Sequence, residues 1–205
     1  MTGTSVDGLD LALIEVSPPR SADPAREAIS ILNAQTIPLP EKLRDALLAC
    51  GQPDQSSVDL LGECDVQLGD FIGASIIDWL RSLDISLASI RAIGSHGQTV
   101  RHRPPGTRDS AFTLQIGDPN QIAEITGIDT VADFRRRDVA AGGQGAPLAP
   151  AFHDVPFGNT ATATCVVNIG GISNISPLGN HNGGFDTGPG NCLMDAWVCQ
   201  HQPNH

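Results

Sequence analysis

The chain has 205 residues, 40% of them hydrophobic, which predicts a folded soluble protein with one large domain or a domain plus part of another. Its formal net charge of -11, from 12 Lys and Arg against 23 Asp and Glu, argues against a nucleic-acid-binding surface, because phosphate binding needs clustered positive charge. Lys42 is the only lysine, so contacts to a phosphate would come from backbone N–H groups, hydroxyls and arginines.

The hydrophobic pattern predicts strands and helices along the whole chain. The predicted strands cover residues 9–16 and 28–37, a short segment from Ala92 that leads into a polar glycine loop, and residues 112–116, 129–132, 162–168 and 172–178. The predicted helices are one opened by residues 38–40 with Leu43, Leu47 and Leu48 on it, a long amphipathic one over 57–83, one over 119–126, and one after Asn191 with Cys192 and Trp197 in the core. Residues 133–138 are expected to form a charged strand exit, and residues 141–150 a glycine- and proline-rich connection.

The five cysteines are odd in number and lack CxxC spacing, so the sequence predicts neither a disulfide framework nor a zinc site. They are Cys50, Cys64, Cys165, Cys192 and Cys199. A reducing cytoplasm fits this pattern best. The sequence also lacks a stretch approaching roughly 20 apolar residues and has no signal-peptide pattern at its start, so we expect a cytoplasmic protein without a membrane partner.

Three glycine-rich turns stand out, at residues 2–8, 168–174 and 184–191. The third holds a lone carboxylate, Asp186. Glycines let the backbone approach a ligand closely, and unpaired N–H groups in such turns attract anions, so Asp186 is expected to face a substrate beside a bound phosphate. A hairpin with such a turn occurs twice, at 2–16 and 163–178, which predicts two related lobes facing a shared phosphate.

Five segments, in this order, resemble the anhydro-N-acetylmuramic acid kinase family of the actin-like ATPase and sugar-kinase superfamily. They are residues 1–10, 94–99, 129–147, 168–171 and 184–197, so the resemblance covers nearly the whole chain. It implies an α/β fold of the actin-like ATPase and sugar-kinase (ribonuclease H-like) type. Residues 1–150 would form a nearly complete first lobe, and residues 151–205 would begin the second.

The resemblance also implies a reaction. The family opens the 1,6-anhydro ring of anhydro-N-acetylmuramic acid with water and transfers the ATP γ-phosphate to the freed O6, giving N-acetylmuramic acid 6-phosphate. This step belongs to peptidoglycan recycling and amino-sugar catabolism. It needs a base that deprotonates water, while donors and Mg²⁺ hold the triphosphate. The expected partners are therefore the sugar and ATP, and a homodimer is left open.

Site residues follow from the same resemblance. Asp186 matches the catalytic base, and Asp7 could bind Mg²⁺. The ATP-binding residues would be Gly3, Thr4, Ser5, Val6, Asp7, Gly8, Leu9 and Asp10, with Gly170 and Gly171 in the opposing phosphate turn. The sugar side would be lined by His96, Gln98, Arg136, Asp138 and Gln144, since an arginine suits a lactyl carboxylate and amides suit hydroxyls.

Structural interpretations of the same residues stay open. Asp186 could cap the glycine turn or the following helix, and His96 could bind backbone. The Arg135–Arg137 run could be a solvated ion-pair cluster with one arginine reaching the substrate. A metallohydrolase cluster of His96, His102, Asp133 and His153 is disfavoured, because the sequence has no HxH or HExxH pattern.

Compared with the family, we expect the strand before the first turn and most of the second lobe, with the adenosine pocket, to be absent from these 205 residues. Two functions compete on that basis. One is a kinase subunit or fragment that carries the sugar site, both phosphate turns and the base. The other is an inactive truncated remnant that acts at most as a sugar-binding lobe.

Overall fold

The computed structural model describes residues 2–3, 6, 8–17, 28–106, 110–157, 162–179 and 183–202. The strands are β1 (Gly8–Ser17), β2 (Ala28–Pro38), β3 (Ile93–Ser95), β4 (Gln98–Arg103), β5 (Phe112–Ile116), β6 (Thr130–Ala132), β7 (Cys165–Ile169), β8 (Ile172–Pro177) and β9 (Phe185–Pro189). The helices are α1 (Glu41–Gly51), α2 (Val58–Ser82), α3 (Pro119–Thr126), α4 (Phe134–Ala140), α5 (Ala149–Phe157) and α6 (Cys192–His201), with a 3₁₀ turn at Leu87–Ser89.

The strands of the described residues form four small sheets in a mixed α/β architecture. β1 pairs with β2, β3 runs parallel to β6, β4 is antiparallel to β5, and β7, β8 and β9 form a three-stranded antiparallel sheet in that order. The contacts divide the chain into two units, Met1–Leu11 with Gln35–Gly145, and Ala12–Ala34 with Ala146–His205. None of the described helices is long and apolar enough to cross a membrane.

The core of the first unit lies around α2. This helix begins after Ser57, whose hydroxyl accepts the N–H of Leu60 at 3.0 Å, and it buries an apolar stripe that includes Leu68. Gly69 faces α3 so closely that a Cβ there would lie 2.8 Å from the carbonyl oxygen of Asp118. Small residues at this contact therefore allow α2 and α3 to pack backbone against backbone.

Most predicted elements are confirmed. α3 and β5 coincide with the predicted ranges, α2 differs by a residue at each end, and the hairpin around Gly170 and Gly171 forms as β7 and β8. The predicted polar loop after β3 is shorter than expected, because β4 already begins at Gln98. The segments predicted as a charged exit and a connection contain α4 and the start of α5.

Two burial predictions and one turn assignment were wrong. Cys192 and Trp197 are exposed, Trp197 to 64%. The Trp197 ring stacks on His201 one turn along α6, at 3.9 Å between ring centroids, so its contact is made along the helix surface. The glycine-rich segment around Asp186 is largely strand, because β9 pairs with β8 from Phe185 to Pro189.

Candidate functional site

The first glycine turn is described at Thr2, Gly3 and Val6 and from Gly8 onward, whereas Thr4, Ser5 and Asp7 lie outside the described residues. Thr2 bridges antiparallel to Leu9, and the N–H of Val6 donates to the carbonyl of Gly3 at 3.2 Å. The described residues thus form a tight reversal at the start of β1. Asp10 follows on β1, where its Oδ1 accepts the Thr36 hydroxyl at 2.7 Å.

The first turn contacts the loop between β3 and β4. The Thr2 hydroxyl donates to Oε1 of Gln98 at 2.5 Å and lies 3.4 Å from the carbonyl oxygen of Gly97. Gln98 is 5% exposed, and its Nε2 donates to the Thr99 carbonyl at 3.2 Å. The Gln98 amide therefore joins the first glycine turn to the start of β4 within the first unit.

His96 is held on both sides of its ring. Nε2 accepts the Nε–H of Arg135 at 2.8 Å, and Nδ1 lies 2.9 Å from the carbonyl oxygen of Gly97. Burial lowers the pKa of His96 below 6.5, and the positive charge of Arg135 lowers it further, although the contact with the Gly97 carbonyl acts in the opposite direction. The ring is therefore neutral at neutral pH.

The loop that follows α4 is fixed by two side chains of that helix. Oδ2 of Asp138 accepts the N–H of Gly145 at 2.7 Å, and the Arg135 guanidinium donates to the Gly145 carbonyl at 2.6 Å. Gly145 has a φ of +70°, and a Cβ there would lie 2.7 Å from Val139. The position therefore demands glycine, and both of its peptide groups are anchored to α4.

Two other predicted sugar-side residues lie at the surface. Arg136 pairs with Asp133 at 3.1 Å on the exposed side of α4, and Gln144 is exposed in the anchored loop. Such an exposed pair contributes little stability, so the Arg136 charge is available to a ligand at small cost. All five predicted sugar-side residues therefore lie in the first unit. They lie around the β3–β4 connection, on α4 and in the loop that follows α4.

A polar layer lies beside this loop on β4 and β5. Gln115 donates to the hydroxyls of Thr99 and Thr113 at 3.1 and 2.8 Å, and the Thr113 hydroxyl lies 3.0 Å from Nδ1 of His102. A Cβ on Gly145 would lie 3.3 Å from Cε1 of His102. The anchored loop therefore packs at Gly145 against the His102 side of this polar layer.

In the second unit, Asp186 lies on β9 in a row of polar side chains. It is directly opposite Asn174 on β8, which is opposite Asn168 on β7, and directly opposite residues share one face of a sheet. The register shifts after this pair, so that Ser173 opposes Gly188 and Thr187 is the additional residue of a bulge. The Thr187 hydroxyl donates to the Ser173 carbonyl at 3.1 Å. Bulges of this kind re-aim neighbouring side chains, and the Asp186 carboxylate is exposed.

The second glycine turn is tied to the beginning of α6. The N–H groups of Gly190 and Asn191 donate to the carbonyls of Gly171 and Gly170, both at 2.9 Å. A Cβ on Gly190 would collide with the Gly170 carbonyl oxygen. Backbone hydrogen bonds therefore join the turn to the N-terminus of α6. The N-cap residue of the helix, Asn191, makes no side-chain cap bond.

Sequence reasoning missed Arg135 and the two asparagines beside Asp186. The helical spacing of Arg135 and Asp138 puts them on the same face of α4, which could have distinguished Arg135 from its neighbours. Symmetric pairing around Gly170 and Gly171 could have placed Asn168 opposite Asn174. Neither Asp186 nor any other described residue belongs to a group of three His, Cys, Asp or Glu side chains that could hold a metal ion.

Comparison with known proteins decides the family. The model of the family described as anhydro-N-acetylmuramic acid kinase matches residues 1–205. The chain belongs to the anhydro-N-acetylmuramic acid kinase family. Membership in this family implies the actin-like ATPase fold, and the observed mixed α/β structure agrees with it at that level.

Individual members of the anhydro-N-acetylmuramic acid kinase family match almost the whole chain. The protein of that name from Saccharophagus degradans is 50% identical over 201 residues, which are 97% of this chain and 52% of the relative. The Acinetobacter baylyi protein is 46% identical over 100% of this chain and 52% of the relative, and a Coxiella burnetii protein is 47% identical over 96% and 51%. The chain spans about half the length of the curated relatives that it matches.

Proposed function

We propose that this chain carries the sugar site, the phosphate turns and the catalytic base of an ATP-dependent kinase for 1,6-anhydro-N-acetylmuramic acid. The observation that carries the proposal is the match to the kinase family from residue 1 to residue 205, with 50% identity to one member. The reaction would hydrolyse the anhydro ring and phosphorylate O6, in peptidoglycan recycling and amino-sugar catabolism.

Asp186 is the proposed base. Its exposed position on β9, beside a bulge and opposite an amide side chain, supports this role, because a base must reach a water molecule near the anomeric carbon. The capping alternative receives no support from the contacts, since the N-cap of α6 is Asn191. Removal of a water proton by Asp186 would let the oxygen attack the anomeric carbon as the anhydro bond breaks.

The two glycine turns are proposed to hold the phosphates of ATP. The first comprises Gly3 to Asp10, and the second comprises Gly170 and Gly171. The second turn is joined to the N-terminus of α6, and this supports a role in phosphate binding, because N–H groups at a helix N-terminus attract anions. Transfer of the γ-phosphate of ATP to the freed O6 would release ADP and complete the reaction.

His96, Gln98, Arg136, Asp138 and Gln144 are proposed to form the sugar side. The exposure of Arg136 and Gln144 supports their proposed contacts with a sugar carboxylate and hydroxyl groups. The internal hydrogen bonds of His96, Gln98 and Asp138 support a proposed role in shaping this surface. An arginine can bind a carboxylate with two parallel hydrogen bonds, which gives geometric specificity.

Mg²⁺ is part of the proposal. The ion commonly uses one or two carboxylates together with substrate phosphates, so one protein carboxylate beside the triphosphate would be enough to hold it. Asp7 is the proposed protein ligand, and it lies outside the described residues. When bound, the ion would neutralise charge on the triphosphate.

A cytoplasmic location and assembly as a homodimer complete the proposal. The thiols of Cys50, Cys64, Cys165 and Cys192 are free, which fits a reducing compartment. Sedimentation of the purified chain tests the dimer directly.

The test is transfer of labelled phosphate from ATP to 1,6-anhydro-N-acetylmuramic acid. The 205-residue chain is assayed alone and mixed with a polypeptide that supplies the half of the relatives it does not match. Transfer in either sample, abolished by Asp186→Asn, supports the kinase. Neither transfer nor calorimetric binding of the sugar in either sample would contradict it.

A second candidate is sugar binding without phosphate transfer. It is favoured by the presence of all five proposed sugar-side residues within the first unit. Saturable sugar binding by the chain, with no transfer even in the mixture, would support this candidate over the kinase.

A further inference from the structure

One guanidinium group connects three segments of the first unit. Arg135 stands on α4, donates its Nε–H to the ring of His96 after β3, and donates a terminal N–H to the Gly145 carbonyl in the loop after α4. These contacts join residues 39 positions and 10 positions apart in the chain. Arg135 is half-buried, unlike its exposed neighbours Arg136 and Arg137.

The contact with Arg135 determines where the hydrogen of the His96 ring resides. Arginine has only donors, so Nε2 of His96 must present its lone pair to the Arg135 Nε–H. In a neutral ring the hydrogen is then on Nδ1, which lies 2.9 Å from the Gly97 carbonyl, a group that can only accept. Both hydrogen bonds therefore agree on a single neutral form with the hydrogen on Nδ1.

The same group closes the loop that carries Gln144. The Gly145 peptide N–H is bound by Asp138 and its carbonyl by Arg135, so two residues one turn apart on α4 fix both sides of this glycine. A lysine at position 135 could not reproduce this arrangement, because the planar fork of arginine donates in two fixed directions at once.

We propose that Arg135 is a positioning residue for the sugar site, which fixes His96 in its Nδ1–H form and holds the 142–145 loop against α4. Its neighbour Arg136 is the cation that faces the ligand. The part concerning the sugar rests on the proposed function, whereas the part concerning His96 does not.

The experiment is nitrogen NMR of the 205-residue chain with labelled histidine, together with calorimetric titration of 1,6-anhydro-N-acetylmuramic acid. The ¹⁵N shifts of the ring identify which nitrogen carries hydrogen. Arg135→Met is compared with Arg136→Met, which removes the same charge one position away, and with Arg135→Lys, which keeps the charge.

We expect the Nδ1–H form in the wild type and in Arg136→Met, and its loss or mixture with the other form in Arg135→Met. Sugar affinity should fall at least tenfold in Arg135→Met, with only partial recovery in Arg135→Lys. An Nε2–H form of His96 in the wild type overturns the inference. The wild-type spectrum therefore tests the inference even if the variants fail to fold. An unchanged tautomer in folded Arg135→Met, or a changed tautomer with undiminished sugar binding, also overturns it. Absence of sugar binding and phosphate transfer by the wild type, both alone and in the mixture with the complementary polypeptide, contradicts the proposed function, and the expected tautomer would then leave the positioning of His96 supported.

Discussion

Asn174 on β8 lies directly opposite Asp186 on β9, one register step before the bulge at Thr187. The proposed base therefore stands in a row of amides, because Asn168 lies beyond Asn174 on the same face. Amides are neutral and can donate hydrogen bonds to a carboxylate, whereas a second carboxylate in the row would repel Asp186.

Asp186→Asn should abolish phosphate transfer while leaving sugar binding nearly unchanged. A general base acts in the transition state more than in the ground state, and its loss commonly costs about 10²–10⁴ in rate. Parallel kinetic and calorimetric measurements on the sample with kinase activity check this. Equal loss of sugar affinity would assign Asp186 to substrate binding instead.

Asn174→Asp should destabilise the sheet of the second unit. It would put two carboxylates directly opposite each other, and like charges there cost about 0.2–1 kcal/mol. Urea unfolding at low and high salt measures the effect, which should shrink at high salt. Asn168→Asp is the control, since its position is one strand further from Asp186. Equal destabilisation by both variants would contradict the pairing.

The wild type should lose stability as the pH falls below 6.5, through His96. The folded state lowers the pKa of this ring, mainly by burial, so the unfolded chain takes up the proton first. The contribution is fully present above pH 6.5 and is lost as the pH falls toward the lower pKa of the folded state. Denaturant unfolding across this range, compared with His96→Gln, measures it, and an identical pH dependence in the variant would contradict the prediction.

Gly69→Ala should destabilise the first unit by about 1–3 kcal/mol, as overpacking does. The added Cβ would lie 2.8 Å from the backbone oxygen of Asp118, so α2 and α3 would have to separate. Gly62→Ala on the same helix is the matched control, because a Cβ there meets nothing within 4 Å. Alanine should stabilise that position by up to about 1 kcal/mol. Thermal unfolding of the two variants distinguishes them.

Alkylation of the native chain at pH 8 should modify Cys165 and Cys192 and spare Cys64. Burial raises the pKa of the Cys64 thiol to about 12, and the hydrogen bond with Cys50 contributes, so its reactive thiolate is scarce. Cys165 and Cys192 are exposed. Mass spectrometry after iodoacetamide treatment reads each site, with the unfolded chain as the control in which all thiols react. Rapid labelling of Cys64 in the native chain would contradict its burial.

The sequence alone predicted those elements whose signals are local. The helical spacing of apolar residues predicts α2 to within one residue at each end, and the predicted range of α3 coincides with the helix. The strand β5 and the hairpin of β7 and β8 were also predicted from the hydrophobic pattern and the glycine turn. Five motifs in order indicated the family. Each of these signals depends on residues a few positions apart.

What only the tertiary structure decided depends on contacts between distant residues. Three consecutive arginines look alike in the sequence. The contact with His96, which lies 39 residues earlier in the chain, distinguishes Arg135 as the arginine that is bound inside the first unit. Pairing with β8 puts Asp186 on a strand, although its glycine-rich surroundings predict a turn. The apolar character of Trp197 predicts burial, but burial requires a facing surface, and its ring stacks along its own helix. Local propensity determines which backbone forms are accessible, whereas the partners brought together by folding determine what each side chain touches.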